Sequence, residues 1–195
     1  MTVSHRDNDR PVVLLDRDGV LNVDRRESVT SIAQLRLLPR VRDAVRRLHE
    51  RGYALLVVTN QSWVGRERIP VERLEEINAE LDRRLGGLVD DWFVCAHAPE
   101  DGCRCRKPDT ALLEAAERAW GFDRAVTWLV GDDDRDVEAS RRFGCRAALV
   151  RTGKGSRVAR DRDDVPVFDD LAGFADWLLA AAPPVGPGPS RQQPT

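Results

Sequence analysis

Short apolar runs that stop abruptly at a polar residue recur along this chain, and they restrict its fold more than any other feature. Residues 12–15 form such a run before Asp16, and residues 53–58 form a second before Thr59. Uninterrupted runs of this length are typical of strands that are buried on both faces of a parallel sheet. Between them, apolar residues in the segment 41–48 repeat at helical spacing. The order strand, helix, strand predicts an α/β fold.

The same alternation continues along the rest of the chain. Helical periodicity over residues 70–85 precedes a predicted strand at 92–95. The remaining predicted elements are a helix at 109–120 capped by Asp109, a strand at 126–130, a helix up to Gly144, strands at 146–150 and 165–168, and a helix at 171–182. The sequence therefore predicts a three-layer, Rossmann-like α/β domain with a mainly parallel central sheet.

Composition bounds the domain organisation. The chain has 195 residues, of which 42% are hydrophobic, and a formal charge of −2. These values are typical of one soluble domain. We expect a polar N-terminal arm at residues 1–10, the folded domain at residues 11–182, and a disordered Pro/Gly-rich tail at residues 183–195.

Charge and hydropathy also restrict the partners. A near-neutral balance argues against nucleic-acid or anionic-membrane binding. No apolar run approaches the roughly 18 to 20 residues of a spanning helix, and the polar start lacks the features of a secretory signal. Three of the four cysteines crowd into one segment, which is a poor disulfide framework. We therefore expect a cytoplasmic monomer whose partner is a small molecule.

Polar side chains follow three of the predicted strands at the point where each ends. Asp16 and Asp18 follow the first strand, Thr59 and Asn60 the second, and Asp132 the fourth. Ligands of open parallel sheets bind beyond the carboxyl ends of the strands, so we expect these groups to converge. One aspartate there is more often a turn cap, but three carboxylates held together repel one another unless a cation lies among them. Hard oxygen ligands of this kind suit Mg²⁺.

Four motifs accompany these strand ends. They are DRDGVLN at 16–22, TNQS at 59–62, the lysine of RKP at 106–108, and GDDDRD at 131–136. Together and in this order they resemble the haloacid dehalogenase (HAD) superfamily, a large group dominated by phosphatases, from residue 12 to about residue 155. The resemblance implies a Mg²⁺-dependent phosphomonoester hydrolase. The short stretches after Asn22 and Asn60 leave no room for the separate cap domain found in many relatives.

The resemblance also implies catalytic roles. Asp16 would attack phosphorus and become an aspartyl phosphate. Asp18 would protonate the leaving oxygen and then take a proton from the hydrolytic water. Mg²⁺ would be held by Asp16, the main-chain carbonyl of Asp18, and Asp132. The metal would shield the approaching phosphate from the carboxylates.

Three further residues would hold the phosphoryl group. Thr59 and Asn60 offer hydrogen bonds, and Lys107 offers a compact positive charge. Lysine is rare in this chain, since only Lys107 and Lys154 occur among the 31 basic residues, and Lys107 falls at the motif position. The remaining acids of the 133–136 segment have two open interpretations. They position Lys107 or the metal's water, or they form a solvated acidic start of a helix.

A second cluster of reactive side chains follows the third predicted strand. Three thiols and one imidazole form two close pairs, Cys95 with His97 and Cys103 with Cys105. Four such ligands match a closed tetrahedral Zn²⁺ site, although the spacing alone also fits buried or reactive thiols. The resemblance favours a structural zinc ion that holds the loop at 95–108, which delivers the phosphate-binding lysine.

The zinc loop and the motifs together narrow the resemblance to a branch that contains heptose bisphosphate phosphatases and histidinol-phosphate phosphatases. The implied reaction is removal of the 7-phosphate from D-glycero-D-manno-heptose 1,7-bisphosphate, with histidinol phosphate as the alternative substrate. Arg106 is the candidate for binding the leaving sugar or its second phosphate. Trp63 is either a stacking platform for the substrate or a residue that packs on the scaffold. A non-catalytic, zinc-stabilised binding module is the alternative from another class.

Two other patterns are assigned structural roles. Residues 152–156, TGKGS, lack the first glycine and the Lys-Ser adjacency of a phosphate-binding loop, so we expect no nucleotide site there. Trp92, Trp120, Trp128 and Trp177 are expected in the core rather than at a cofactor.

Overall fold

A six-stranded sheet forms the centre of the protein, of which the computed structural model describes residues 10–181. The strands are β1 (Val12–Leu15), β2 (Ala54–Asn60), β3 (Asp91–Cys95), β4 (Trp128–Gly131), β5 (Arg146–Val150) and β6 (Val167–Phe168). Their order across the sheet is β3-β2-β1-β4-β5-β6. The pairings of neighbouring strands are parallel. The predicted parallel sheet is confirmed.

Helices cover both faces of this sheet. They are α1 (Val41–Glu50), α2 (Ser62–Gly65), α3 (Val71–Leu85), α4 (Ala111–Trp120), α5 (Asp134–Phe143), α6 (Gly155–Val158) and α7 (Leu171–Ala181). One core cluster joins Val13 and Leu15 to α1, α3 and α7. A second joins Val12 and Leu14 to α4 and α5. Because alternate side chains of a strand point to opposite faces, these clusters are the two interfaces of a three-layer fold, as predicted.

The central position of β1 explains its unbroken apolar sequence and aligns the strand ends. Residues Val12–Leu15 are at most 1% exposed, since neighbours cover both edges and both faces. The register pairs Leu15 with Val57 on β2 and with Val130 on β4. The main-chain N–H of Asp16 still donates to the Val130 carbonyl at 2.9 Å. The first residues beyond β1 and β4 therefore meet the end of β2 at one edge of the sheet. Thr59 and Asn60, predicted to follow the second strand, are its last two residues.

The connections above this edge are short. Between Asp16 and Arg40 the regular structure is one 3-10 turn, Ile32–Gln34, and the connection from β2 to α3 holds only α2. Within residues 10–181 these connections carry no separate cap domain. The helices of this region are all too short or too polar to cross a lipid bilayer.

Two predicted boundaries are corrected. The prediction that Asp109 caps α4 is wrong, because its N–H donates to the Arg106 carbonyl at 2.9 Å in a turn and the helix begins at Ala111. The fourth strand begins at Trp128 rather than two residues earlier, because Arg124–Val126 forms a 3-10 turn.

The predicted arm and tail fall mostly outside the described residues. Residues 1–9 of the arm and the whole of 183–195 lie there, as does the last residue of the predicted closing helix. Arg10, the last residue of the predicted arm, is described. Its guanidinium contacts the Asp90 carboxylate at 3.0 Å, which ties it to the loop before β3.

One tryptophan predicted in the core is half exposed. Trp177 on α7 is 41% exposed, although its ring packs edge-on against Trp128 at a centroid distance of 5.1 Å. Its other neighbours are Phe168 and Phe174. Trp177 therefore covers the rim of the core with one face, and it lies at the edge of the core rather than inside it.

Candidate active site

Three carboxylates meet where β1 and β4 end. Ligand atoms of Asp16, Asp132 and Asp136 lie within 4.8 Å of one another. Asp132 is 1% exposed, and its Oδ1 is buried without a hydrogen-bond partner. Burial and the neighbouring charge of Asp16 raise the pKa of Asp132 to about 8. An orphaned buried carboxylate oxygen beside two further acids is a set of donors that fits a divalent cation.

Two glycines allow this close approach. Gly19 has φ of +83°, and a Cβ there would lie 2.1 Å from Asp132 Oδ2. A Cβ on Gly131 would lie 2.2 Å from the Asp136 Cβ. Any larger residue at either position would displace a carboxylate of the cluster.

Lys107 lies among the same acids. Its side chain is 2% exposed, and Nζ lies 2.6 Å from Asp136 Oδ1 and 3.1 Å from Asp16 Oδ1. Burial lowers the pKa of Lys107, but the charges of Asp136 and Asp16 outweigh it and raise that pKa. Lys107 is therefore a permanent cation at the position where the predicted nucleophile would receive an anionic group.

Asn60 fixes the main chain of Lys107. The Lys107 N–H donates to Asn60 Oδ1 at 3.0 Å, and Asn60 Nδ2 donates to the Lys107 carbonyl at 3.1 Å. Both ends of the amide are thus engaged. Asn60 lines the cavity, and these contacts make it a support for Lys107 in addition to the predicted contact with phosphate.

The three acids left open between 133 and 136 occupy different environments. Asp136 is buried against Lys107, and burial raises its pKa to about 6 although the lysine opposes this. Asp133 caps α5 and pairs with Arg135 at 2.9 Å. Burial opposes ionisation of Asp133, but Arg135 outweighs it and lowers the pKa of that carboxyl. The Asp134 side chain is 64% exposed and contacts Arg162.

Asp18 and Thr59 share one partner, Gln61. Gln61 Nε2 donates to Asp18 Oδ2 at 2.7 Å and to Thr59 Oγ1 at 3.0 Å. Asn22 Nδ2 donates to Asp18 Oδ1 at 2.8 Å. Burial works against the charge of Asp18, but Arg17 and these hydrogen bonds lower its pKa below the usual value. The two predicted residues are brought together by an amide that the sequence did not single out.

A cavity of about 250 Å³ opens above these groups. Its floor includes Asp16, Asp18, Thr59 and Lys107. Besides Lys107, its cationic lining consists of Arg25, Arg26, Arg66, Arg106, Arg135 and Lys154. Burial, then the charge of Arg135, lowers the pKa of Arg106, whose Nη1 is buried without a partner. Trp63 lines this cavity and a neighbouring one. The site is built to receive an anion.

The four predicted zinc ligands lie together at the end of β3. Cys105 Sγ lies 3.2 Å from both Cys95 Sγ and His97 Nδ1, and 3.5 Å from Cys103 Sγ. Burial raises the pKa of the Cys95 thiol to about 12. Three thiol sulfurs and one imidazole nitrogen this close together fit Zn²⁺, which would also stabilise the thiolate form of a buried cysteine.

The cluster is tied to the segment that follows β2. Gln61 N–H donates to the Cys95 carbonyl and Gly65 N–H to the Ala96 carbonyl, both at 2.7 Å. A Cβ on Gly65 would lie 2.3 Å from Ala98 N. The loop that carries this Cys/His cluster and α2 therefore form one wall of the cavity.

The chain is similar to known proteins over most of its length. Residues 104–174 match the HAD-hydrolase-like family model. A Pseudomonas aeruginosa protein named D-glycero-beta-D-manno-heptose-1,7-bisphosphate 7-phosphatase is 37% identical over 175 residues, which is 87% of this chain and 98% of that protein. This chain belongs to the HAD-like hydrolases. The predicted superfamily and its hydrolase class are confirmed.

Two other relatives have similar names. The Escherichia coli protein of the same name is 33% identical and is aligned over 87% of this chain and 88% of its own length. The D,D-heptose 1,7-bisphosphate phosphatase from Bordetella bronchiseptica, solved in complex with magnesium and phosphate, has a TM-score of 0.84 and 35% identity. That comparison covers 88% of this chain and 99% of the solved one.

The sequence prediction missed one wall of this HAD-like hydrolase site, the loop after β5. Thr152 Oγ1 donates to the Gly19 carbonyl at 2.6 Å, and Lys154 N–H donates to Asp132 Oδ2 at 2.8 Å. A Cβ on Gly153 would lie 2.0 Å from Asp132 Oδ2. The loop orients Asp132, one of the predicted metal ligands. The rarity of lysine in this chain was the signal that could have found it.

Proposed function

We propose that this chain is a magnesium-dependent phosphatase that removes the 7-phosphate from D-glycero-D-manno-heptose 1,7-bisphosphate. One observation carries the reaction type: Asp16 lies against buried Lys107 and beside Asp132, at the floor of a cavity lined with arginines. A carboxylate nucleophile, a fixed cation and an anion-binding cavity are the parts that phosphoryl transfer needs.

The chemistry follows from these positions. A carboxylate oxygen of Asp16 forms a bond to phosphorus while the ester bond breaks, and the protonated form of Asp18 gives its proton to the leaving sugar oxygen. Water then attacks the aspartyl phosphate, gives its proton to Asp18, and releases phosphate with a free Asp16 carboxylate. Thr59 and Lys107 hold phosphoryl oxygens during both steps.

Magnesium completes this arrangement. Asp16, Asp132 and the Asp18 carbonyl would hold the ion, with Asp136 adjacent to them. When bound, it offsets the negative charge of the carboxylates and of the transferring group. The orphaned Asp132 Oδ1 supports this assignment.

The cationic lining of the cavity supports a bisphosphate substrate. A second phosphate at the far end of the substrate meets Arg106, Arg66 and Arg135, whereas histidinol phosphate brings a positively charged amine to the same place. Like charges would repel the amine. The names of the relatives support the same choice.

Competing substrates test this proposal directly. We expect kcat/KM for heptose 1,7-bisphosphate to exceed that for histidinol phosphate by at least about 10²-fold, since the bisphosphate makes several charge-assisted contacts that histidinol phosphate lacks.

Arg106→Gln should lower kcat/KM for the bisphosphate by roughly tenfold or more and leave kcat/KM for a sugar monophosphate much less affected. Exposed Arg118→Gln on α4 is the matched control. A preference for histidinol phosphate would contradict the proposal.

We also propose that Cys95, His97, Cys103 and Cys105 bind one structural Zn²⁺. The short distances among their ligand atoms support this. A closed set of four protein ligands leaves no position for a reacting water. The ion would fix the two residues that follow Cys105, Arg106 and Lys107.

The carboxyl groups of Asp132 and Asp136 predict a pH-dependent response to magnesium. Asp132 and Asp136, with pKa values of about 8 and about 6, stay protonated in the folded metal-free protein at pH values where the unfolded chain has lost those protons. The free energy of unfolding that these two groups contribute therefore falls as pH rises from about 4 to 8. Mg²⁺ needs the ionised carboxylates, so the stabilisation it gives should grow over the same range.

Thermal unfolding with and without Mg²⁺ measures this effect. We expect the Mg²⁺-induced rise in Tm to be larger at pH 8 than at pH 5.5, and to be reduced in Asp132→Asn. Asp134→Asn, at an exposed position of α5, should behave as the wild type does. A Tm shift that is equal at both pH values would contradict the assignment of Asp132 as a ligand.

A further inference from the structure

Arg17 is a fully buried cation in the catalytic loop, for which the reaction scheme above has no role. It lies between Asp16 and Asp18, its side chain is 0% exposed, and it does not line the cavity. A guanidinium removed from water is costly unless anions and hydrogen-bond acceptors surround it. The groups that contact the Arg17 guanidinium therefore indicate why it is buried.

Those partners are the proton-transferring acid and one distant helix. Arg17 Nη2 lies 2.9 and 3.1 Å from the two carboxylate oxygens of Asp18. Arg17 Nη1 donates to Asn78 Oδ1 at 3.0 Å. Asn78 belongs to α3, which contributes no residue to the cavity lining. The guanidinium thus links Asp18 to a helix of the core.

The remaining contacts of Asp18 come from neutral amides. Asn22 and Gln61 each donate one hydrogen bond to its carboxylate. Arg17 is the charged donor, and it contacts both oxygens. The Asp18 side chain is nevertheless 16% exposed and lines the cavity, so a substrate can reach it.

We infer that Arg17 is a positioning residue, anchored by Asn78, that holds the Asp18 side chain in the orientation needed to transfer a proton to the leaving oxygen. The inference rests on the proposed function, in which Asp18 is the acid. Proton transfer depends steeply on the distance and direction between the donor and the reacting oxygen. A buried, doubly anchored cation restricts both more than neutral amides can.

The dependence of rate on the leaving group tests this role. Alkyl oxygens leave only when protonated, whereas 4-nitrophenolate leaves without a proton. Because kcat/KM covers steps up to formation of the aspartyl phosphate, Arg17→Met should lower kcat/KM for heptose 1,7-bisphosphate by roughly 10²-fold or more. The fall for 4-nitrophenyl phosphate should be much smaller. Arg17→Lys should restore part of the loss.

Slower hydrolysis of the aspartyl phosphate gives a second readout. Asp18 also takes the proton of the attacking water, so its misplacement slows the second step for every substrate. Arg17→Met should therefore release a rapid burst of 4-nitrophenolate, near one equivalent per active site, before a slow steady state. A merely structural defect would lower the concentration of active sites and the burst together.

Two variants keep the outcome decisive. Asn78→Leu removes the second anchor and leaves the Arg17–Asp18 pair. It should also lower kcat/KM more for the heptose substrate than for 4-nitrophenyl phosphate, with a difference about a tenth as large as in Arg17→Met. This variant tests the inference if Arg17→Met fails to fold. Asp18→Asn is the reference. If it lacks the selectivity, the proposed function and this inference both fail. If it shows the selectivity and the folded Arg17 and Asn78 variants do not, only this inference is overturned.

Discussion

Replacing Asp16 by asparagine should lower the rate of phosphate release by roughly 10⁴-fold or more, as the loss of a catalytic nucleophile does. The amide cannot form the aspartyl phosphate, and the cluster loses one candidate metal ligand. The fold should survive because Lys107 keeps Asp136 at 2.6 Å. The pKa of Asp132 should fall, since the charge of Asp16 helps to raise it. Phosphate release, thermal unfolding and carboxyl titration by NMR measure the three effects.

The controls separate loss of the nucleophile from other causes. Asp16→Ala, which cannot revert by deamidation, should be as inactive as Asp16→Asn. Asp134→Asn changes another acid of the motif segments, but its exposed side chain contacts only Arg162 among the contacts described. Its turnover should stay within about twofold of wild type. Retention of a tenth of the activity in Asp16→Ala would remove Asp16 from its assigned role.

The convergence of the strand ends could be predicted from the sequence because it depends on local rules. A run such as Val12–Leu15 identifies a buried strand, and parallel strands bring their carboxyl ends to one edge. Asp16 and Thr59 follow such runs directly, Asp132 follows one after Gly131, and the structure brings all three to that edge. No pairing register had to be known to select them.

Residues whose position depends on the register or on helix caps could not be found in the same way. Gln61 joins Asp18 to Thr59, and Lys154 joins the loop after β5 to Asp132 through its main chain. Neither contact has a pattern along the sequence. Asp136 faces Lys107 only because the Asp133 cap sets where α5 begins. The same limit applies to Asp109, which looked like a cap but belongs to a turn.

The short segment between the Cys/His cluster and Lys107 explains why the predicted zinc ion should matter for catalysis. Cys105 precedes Lys107 by two residues, and the intervening Arg106 carries the cavity's buried guanidinium nitrogen. One side of this short segment is held by Asn60. The other side depends on the Cys/His cluster. Displacement of the segment would move the cation that faces the nucleophile.

Substitution of Cys105 by serine should therefore remove both zinc and most of the activity. Cys105 Sγ makes close contacts with Cys95, Cys103 and His97 Nδ1, so its loss opens the coordination shell. We expect elemental analysis to fall from about one zinc per chain to nearly none, and kcat/KM to fall by roughly 10²-fold, which a misplacement of about 1 Å can cause. Tm should also fall, because binding a structural zinc stabilises the fold.

Cys145→Ser is the matched control, since Cys145 is a free thiol outside the cluster. It should retain its zinc and its activity. If zinc acts only on stability, Cys105→Ser would lose Tm but keep kcat/KM at temperatures well below unfolding, and the link from the zinc loop to Lys107 would be wrong. A zinc-free wild-type protein with full activity in Mg²⁺ would exclude the zinc site altogether. Activity lost together with zinc, in a variant that is still folded, would show that the loop must be held for Lys107 to reach the phosphate.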